Sequence, residues 1–305
     1  MAQSAVMEVI MKQYLTMDIG GTFIKYSRMD RSFHEEYQSV VPTEKNPEGF
    51  ISQLFGIVDE AGQNISGIAI SMGGFINPVT CENSDFSVGE NFKKYNLKDT
   101  LSKYSHLPVA VENDSNCAAL AEMHLGAGRD CRDFCMITLG TGIGGAIILD
   151  RQLLRGRNFK AGEFGFGFIG RKKQEDGYVY HSASATSVLV RRISQALGQE
   201  VDGVYIFDNL NRPVIRETYE EWLEDLAMVV GNTAVGLDPE KILIGGGIST
   251  QEVFIRDLKE RVYRIYRPLE EYTKIEACSL GNHAGKIGAL LEYFNRYGDM
   301  EDDFV

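Results

Sequence analysis

A strand–turn–strand unit rich in glycine occurs twice in this chain, and it constrains the fold more than any other feature. The first copy centres on the run Asp-Ile-Gly-Gly-Thr at 18–22, and the second on Gly-Thr-Gly-Ile-Gly-Gly at 140–145. Apolar, β-branched and aromatic residues flank both copies, as is typical of strands. Glycine accepts a positive φ without steric cost, so each copy predicts a tight hairpin. We therefore expect two similar halves, each with its own hairpin.

The chemistry of these turns indicates a phosphate ligand. A turn without side chains brings backbone N–H groups close to an anion. Asp18 ends the first strand beside the turn, where it would repel a phosphate unless a cation lay between them, so the pair predicts a Mg²⁺-nucleotide. An ordinary hairpin with a surface aspartate is the alternative, and the repetition of the unit favours the nucleotide. A third glycine cluster, 245–247, would let a ligand approach a strand-to-helix turn.

Composition excludes several classes of protein. The net charge of −12 argues against a nucleic-acid partner, which needs a basic surface, but not against a nucleotide. No apolar run reaches the ~18 residues of a membrane span, so we expect no membrane association. The five cysteines are odd in number and irregularly spaced, which favours reduced thiols and a cytoplasmic location.

The hydrophobic pattern predicts an α/β protein. Residues before 112 indicate the order β-β-β-α-β-loop-β, a mixed sheet backed by a helix. We predict irregular loops at 79–100 and 151–182. The predicted later helices cover 116–125, 184–197, 219–237, 251–266 and 284–297.

Asp114 is the candidate catalytic residue. It stands where a strand ends and a helix begins, which is where ligands usually meet α/β sheets. The helix N-terminus favours its charged form, and a carboxylate can accept a proton from an alcohol that attacks a phosphate. The run Asn113-Asp114-Ser115 is also typical of a plain N-cap, and the local sequence alone favours the cap. Glu163, between glycines in a loop, is either a ligand of sugar hydroxyls or an ordinary solvated glutamate.

Taken in order, these motifs resemble the ROK family of bacterial sugar kinases, from about residue 14 to about residue 295. The resemblance implies an actin-like, ribonuclease H-like ATPase fold, with two mixed-sheet α/β lobes around a cleft. The N-terminal lobe would comprise 12–115 plus 284–305, and the C-terminal lobe 116–283. The resemblance also implies a homodimer and transfer of a phosphoryl group from Mg-ATP to a sugar hydroxyl, usually the 6-OH.

The resemblance assigns a role to each motif. Asp114 looks like the general base, Asn113 and Glu163 would hold sugar hydroxyls, and Gly74 would place its backbone against the sugar. The residues that would face Mg²⁺ and the ATP phosphates are Asp18, Gly20, Gly21, Thr22, Thr141 and Gly142, with Asp18 nearest the metal. The nucleoside would lie near Gly245, Gly246 and Gly247.

Two departures from the family pattern bear on the substrate. Phe166 stands where the family commonly has His, and Tyr180 falls near the place of a second sugar-binding Glu. Residues 167–182 contain no Cys, so we expect no structural zinc. Aromatic faces in place of polar groups predict an acceptor that is substituted at C1, such as a β-glucoside disaccharide. Glucose itself, N-acetylmannosamine and fructose remain open as acceptors.

Two competing classes lack support in the sequence. ROK-like transcriptional repressors carry a helix-turn-helix ahead of the first glycine turn, and the seventeen residues before Asp18 are too few for one. A non-catalytic sugar-sensing protein would not need Asp114. Such a binding protein remains the alternative to an enzyme.

Overall fold

The computed structural model describes residues 12–84, 96–171 and 178–298, without the side chains of residues 170, 171 and 178–181. The chain divides into two compact units, the first formed by residues up to Cys117 together with those from Gly285 onward, and the second by Ala118–Ala284. The described strands are β1 Gln13–Ile19, β2 Phe23–Asp30, β3 Glu35–Pro42, β4 Ile65–Met72, β5 Val109–Asn113, β6 Phe134–Leu139, β7 Ile143–Leu149, β8 Gln152–Leu153, β9 Phe168–Arg171, β10 Tyr178–Tyr180, β11 Lys241–Gly245 and β12 Lys274–Ala277. The described helices are α1 Pro47–Ala61, α2 Leu97–Ser105, α3 Asp114–Leu125, α4 Thr186–Leu197, α5 Gly203–Asp208, α6 Pro213–Leu237, α7 Glu252–Ile265, α8 Leu269–Tyr272 and α9 Ala284–Tyr297.

The first unit is built on a five-stranded mixed sheet in the order β3-β2-β1-β4-β5. β1, β2 and β3 pair antiparallel, whereas β1, β4 and β5 are parallel. β3 is an edge strand, and its residues alternate between partly buried and exposed. β4 lies inside the sheet and is almost continuously buried, as is expected of a parallel strand covered on both faces. α1 adds Phe50 and Leu54 to this core.

Strand register brings three polar side chains into line at one edge of this sheet. Asp18 pairs with Ser71, and Ser71 pairs with Glu112 on the next strand. These residues lie close to the carboxyl ends of three parallel strands, the edge at which α/β sheets usually bind ligands.

The second unit has its own five-stranded sheet, in the order β12-β11-β6-β7-β8. β6 and β7 form the second glycine hairpin, and β11 lies parallel to β6. Its core gathers around Tyr219 and Trp222 of α6 and Phe254 of α7, all fully buried. β9 and β10 pair separately as a two-stranded sheet.

The prediction of a mixed α/β architecture with two glycine hairpins is confirmed, and so is the predicted helix over 284–297. Both predicted loops were too long. α2 begins at residue 97, where Asn96 accepts a hydrogen bond from Asp99 N at 3.1 Å, and β8, β9 and β10 lie within 151–180. α6 begins at Pro213, six residues before the predicted start, because proline fits the first turn of a helix. The short helix α5 was missed.

No helix in the described ranges combines the length and the apolarity that crossing a bilayer requires. All five cysteines are free thiols, four of them buried.

Candidate active site

The first glycine turn is exposed and open above its backbone. Gly20 N donates to Phe23 O at 3.0 Å and closes the turn between β1 and β2. Gly20, Gly21 and Thr22 are all exposed, and a Cβ built on Gly21 would meet no atom within 4 Å. A bulky group can therefore approach this backbone directly.

Asp18 is held in place beside that turn. Ser71 Oγ donates to Asp18 Oδ1 at 2.9 Å, as the strand register brings them side by side. The start of α9 lies against the same carboxylate, because a Cβ on Gly285 would come within 3.0 Å of Asp18 Oδ1. Neither Ser71 nor Gly285 was predicted, since their proximity to Asp18 arises only from the tertiary fold.

The structure separates the capping residue from the candidate base. Asn116 N donates to Asn113 Oδ1 at 3.0 Å, so Asn113 caps the first turn of α3. Asp114 is the first residue of α3, and its Oδ1 accepts from Ser115 N at 2.7 Å. Asp114 is accessible to solvent, whereas the neighbouring Glu112 is buried. The capping role therefore falls on Asn113 and leaves Asp114 open to a ligand.

The surroundings of Asp114 raise its pKa, contrary to the expectation that the helix N-terminus would favour the charged form. Dense protein around the carboxyl raises the pKa most, and the Asp18 carboxylate raises it further. Hydrogen bonds from Ser115 oppose the rise without cancelling it. Since the residue is also accessible, the result is a reachable carboxylate that is more basic than an ordinary aspartate.

The Gly73–Gly74 turn packs beside the Asp114 carboxylate. A Cβ on Gly73 would lie 3.8 Å from Asp114 Oδ2. Asn113 Nδ2 donates to Gly74 O at 3.0 Å, and Asn83 Nδ2 donates to Gly73 O at 3.0 Å. Gly74 has a φ of 115°, and any side chain there would collide with Asn83. The structure thus brings Gly74, Asn113 and Asp114 together and adds Asn83, which the sequence analysis missed.

In the second unit, the second glycine turn is likewise open. Cβ atoms built on Gly140 and Gly142 would meet nothing within 4 Å. The third glycine cluster lies next to it, because Gly246, with a φ of 93°, comes so close that a Cβ would stand 2.0 Å from Leu139 O. The residues Thr141, Gly142, Gly245, Gly246 and Gly247 therefore occupy one edge of this sheet.

Glycines also explain the position of Glu163. Gly162, with a φ of 89°, and Gly165 lie so close to β7 that a Cβ would come within 2.6 Å of Gly145 O and 2.4 Å of Ile143 O, respectively. Only glycine permits this contact, which holds the Glu163 loop against the strand that follows the second turn. Glu163 itself is partly buried.

Phe166 follows in a short 3₁₀ turn and leaves 64% of its surface exposed. Phe168, two residues later, is 56% exposed and pairs in register with Tyr180 across β9 and β10. The side chain of Tyr180 lies outside the described part of the structure. Two apolar rings, Phe166 and Phe168, are thus exposed to solvent close in sequence to Glu163. The sequence analysis did not name Phe168 as a site residue.

Comparison with known proteins shows the family of this chain. The model of the ROK family matches residues 14–293. The chain belongs to the ROK family. A β-glucoside kinase of Listeria innocua is 36% identical over 237 residues, which cover 75% of this chain and 80% of that protein.

Solved ROK structures share the fold. A ROK family protein from Streptococcus pneumoniae, crystallised with sucrose, has a TM-score of 0.83 and 29% identity, covering 94% of this chain and 100% of that chain. A ROK family glucokinase from Streptomyces griseus, in complex with glucose and AMPPNP, has a TM-score of 0.74 and 26% identity, covering 91% of this chain and 97% of that chain. This ROK protein therefore has the actin-like ATPase fold and is an ATP-dependent sugar kinase.

Proposed function

We propose that this ROK kinase transfers the γ-phosphoryl group of ATP to the 6-hydroxyl of a glucose ring, and that it prefers a ring substituted at C1. The observation that carries the proposal is the accessible Asp114 carboxylate beside the Gly73–Gly74 turn, together with two exposed aromatic rings near Glu163.

Asp114 supplies the base. A carboxylate accepts the proton of the attacking hydroxyl, and it does so better when its pKa is raised towards the working pH. Protein surroundings and the Asp18 charge both raise the pKa of Asp114. The hydrogen bond from Ser115 N to Oδ1 fixes the carboxylate, and Oδ2 lies on the side of Gly73.

Asn113 and Glu163 orient the sugar in this proposal. The Asn113 amide already binds Asn116 N and Gly74 O, so it keeps one N–H and one lone pair for a sugar hydroxyl. The Gly74 backbone, held by that same amide, forms the wall against which the ring rests. Glu163 accepts hydrogen bonds from further hydroxyls.

The glycine turns and Asp18 suit Mg-ATP. The open space above Gly21, Gly140 and Gly142 admits phosphates close to backbone N–H groups. Mg²⁺ usually takes one or two carboxylates and completes its shell with phosphate oxygens and water. Asp18 provides such a carboxylate, and within the described residues no three metal-binding side chains form a ready-made cage. The ion would neutralise charge between Asp18 and the phosphates.

The exposed rings favour a substituent at C1. Phe166 stands where the family commonly has a His that would face the anomeric side of the sugar. Its apolar ring is 64% exposed, and a second sugar ring can stack on it. The Listeria relative is named a β-glucoside kinase, and the Streptococcus structure was solved with sucrose, a disaccharide. Both facts support a disaccharide acceptor over free glucose, N-acetylmannosamine or fructose.

A coupled ADP-release assay tests the acceptor. With Mg-ATP, kcat/KM for cellobiose or gentiobiose should exceed that for glucose, fructose and N-acetylmannosamine. Phe166→Ala should lower kcat/KM for the disaccharides by about twofold to tenfold, since an aromatic contact contributes roughly 0.5–1.5 kcal/mol beyond area burial, and should change kcat/KM for glucose little. Val235→Ala, which removes another exposed apolar side chain far along α6, is the matched control.

A much higher kcat/KM for glucose than for any disaccharide would refute the preference while leaving the kinase intact. Sugar binding without phosphorylation of any acceptor would instead favour a sugar-sensing protein. We further infer that the protein is a homodimer, in keeping with the family resemblance, and that it is cytoplasmic, in keeping with the five free thiols. Sedimentation of the purified protein would test the oligomeric state.

A further inference from the structure

Every backbone carbonyl of the first glycine turn accepts a hydrogen bond from the segment after β3. Thr43 Oγ1 donates to Gly20 O at 2.7 Å, and Thr43 N donates to Thr22 O at 2.9 Å. The Lys45 ammonium donates to Gly21 O. One threonine and one lysine thus hold all three carbonyl oxygens of this turn.

The second glycine turn, in the other unit, is held in the same way. Ser187 N, at the start of α4, donates to Gly140 O at 3.1 Å, and Ser187 Oγ donates to Thr141 O at 2.7 Å. Gly140 N donates to Gly142 O at 3.0 Å. A hydroxyl residue from a neighbouring segment again fixes the turn.

Fixing a carbonyl also fixes an amide. The peptide unit is planar and trans, so the C=O of one residue and the N–H of the next point in opposite directions. A hydrogen bond to Gly20 O therefore orients the N–H of Gly21, and one to Thr141 O orients the N–H of Gly142. A Cβ built on either glycine would meet no atom within 4 Å, so an anion can approach the backbone here. Carbonyl oxygens, which would repel a phosphate, are kept on the opposite side.

We propose that Thr43 and Ser187 are positioning residues, whose hydroxyls hold the two glycine turns so that backbone N–H groups face the phosphate chain of ATP. This inference rests on the proposed placement of the phosphates at the turns. It predicts that each hydroxyl contributes to binding of the phosphates but not of the adenosine.

Single substitutions remove each side-chain hydroxyl and keep the backbone hydrogen bonds to the turns. Thr43→Val and Ser187→Ala retain the backbone donors to Thr22 O and Gly140 O. Calorimetric Kd values are measured for AMPPNP and for adenosine with wild type and each variant. We expect AMPPNP to bind about threefold to tenfold more weakly, the equivalent of one hydrogen bond, while adenosine binding stays unchanged. KM for ATP should rise by the same factor, with little change in KM for the sugar.

Conservative variants and matched controls separate positioning from general damage. Thr43→Ser and Ser187→Thr keep the hydroxyl and should restore AMPPNP binding. Ser52→Ala and Thr218→Val remove hydroxyls that bind backbone carbonyls within α1 and α6, at Glu48 O and Val214 O, and should leave both ligands unaffected.

Three outcomes would overturn the inference. One is a loss of AMPPNP affinity below threefold in both variants, and another is an equal loss of adenosine affinity. The third is absence of AMPPNP binding by the wild type, which would also overturn the proposed function. The first two outcomes would overturn the positioning role alone.

Discussion

Replacing Asp114 by Asn tests the assignment of the base most directly. Asparagine has the same shape, and its Oδ1 can keep the 2.7 Å hydrogen bond from Ser115 N. The variant therefore loses the proton acceptor and little else. General base catalysis contributes about 10²- to 10⁴-fold, so kcat should fall by that factor, or roughly 2.7–5.5 kcal/mol of barrier at ~1.36 kcal/mol per decade. KM for the sugar should change little.

The same substitution should stabilise the folded protein. The pKa of Asp114 is raised on folding, so folding favours its protonated form and disfavours its charged form. Below the usual aspartate pKa of about 3.9 the carboxyl is protonated in both states, and the effect vanishes. As pH rises through the folded pKa the penalty develops fully. Asp114→Asn should therefore unfold at a higher urea concentration than wild type near neutral pH, with a difference that shrinks as pH falls towards 4.

Activity and stability together make the assay decisive. Steady-state kinetics with a saturating acceptor and urea unfolding followed by circular dichroism are run on wild type, Asp114→Asn and the control Asp99→Asn. Asp99 is an exposed aspartate in the first turn of α2, so its replacement should leave kcat unchanged and should not raise the urea midpoint. A kcat of the Asp114 variant within about tenfold of wild type would refute the base assignment. A lower urea midpoint at neutral pH would refute the account of its pKa.

Three further predictions concern the framework. The buried Glu122 carboxylate accepts from Ala127 N, Ser279 N, Ser279 Oγ and Leu280 N at 2.7–3.0 Å, so Glu122→Gln, which replaces one acceptor oxygen by a donor, should lower the free energy of urea unfolding by about 3–5 kcal/mol. Gly285→Ala would bring a methyl group within 3.0 Å of Asp18 Oδ1. The resulting loss of kcat/KM, expressed as a free energy, should exceed the loss in the free energy of urea unfolding. Metal analysis of the purified protein should find no stoichiometric zinc.

Local sequence was enough to predict the two hairpins, because tight turns depend on glycine within a few residues and strands on their own side-chain pattern. It failed in the segments around 97 and 151–180, where short elements depend on packing rather than on periodicity. The Asn113–Ser115 run left a cap and a base as alternatives for one residue. The structure gives the cap to Asn113 and leaves Asp114 accessible to a ligand, since only the backbone geometry at the end of β5 shows which side chain reaches the N–H of Asn116.

The sequence by itself therefore determined the turns, the succession of strands near them and the residue types that we propose for binding phosphate and sugar. Only the tertiary structure decided what surrounds those residues. Ser71 and Gly285 beside Asp18, Asn83 beside Gly74, and Ser187 on the second turn come from distant parts of the chain. Their contacts arise from strand register and helix packing, which are set by the whole core. The basicity of Asp114 has the same origin, because a pKa depends on every charge and every atom that folding brings near the carboxyl.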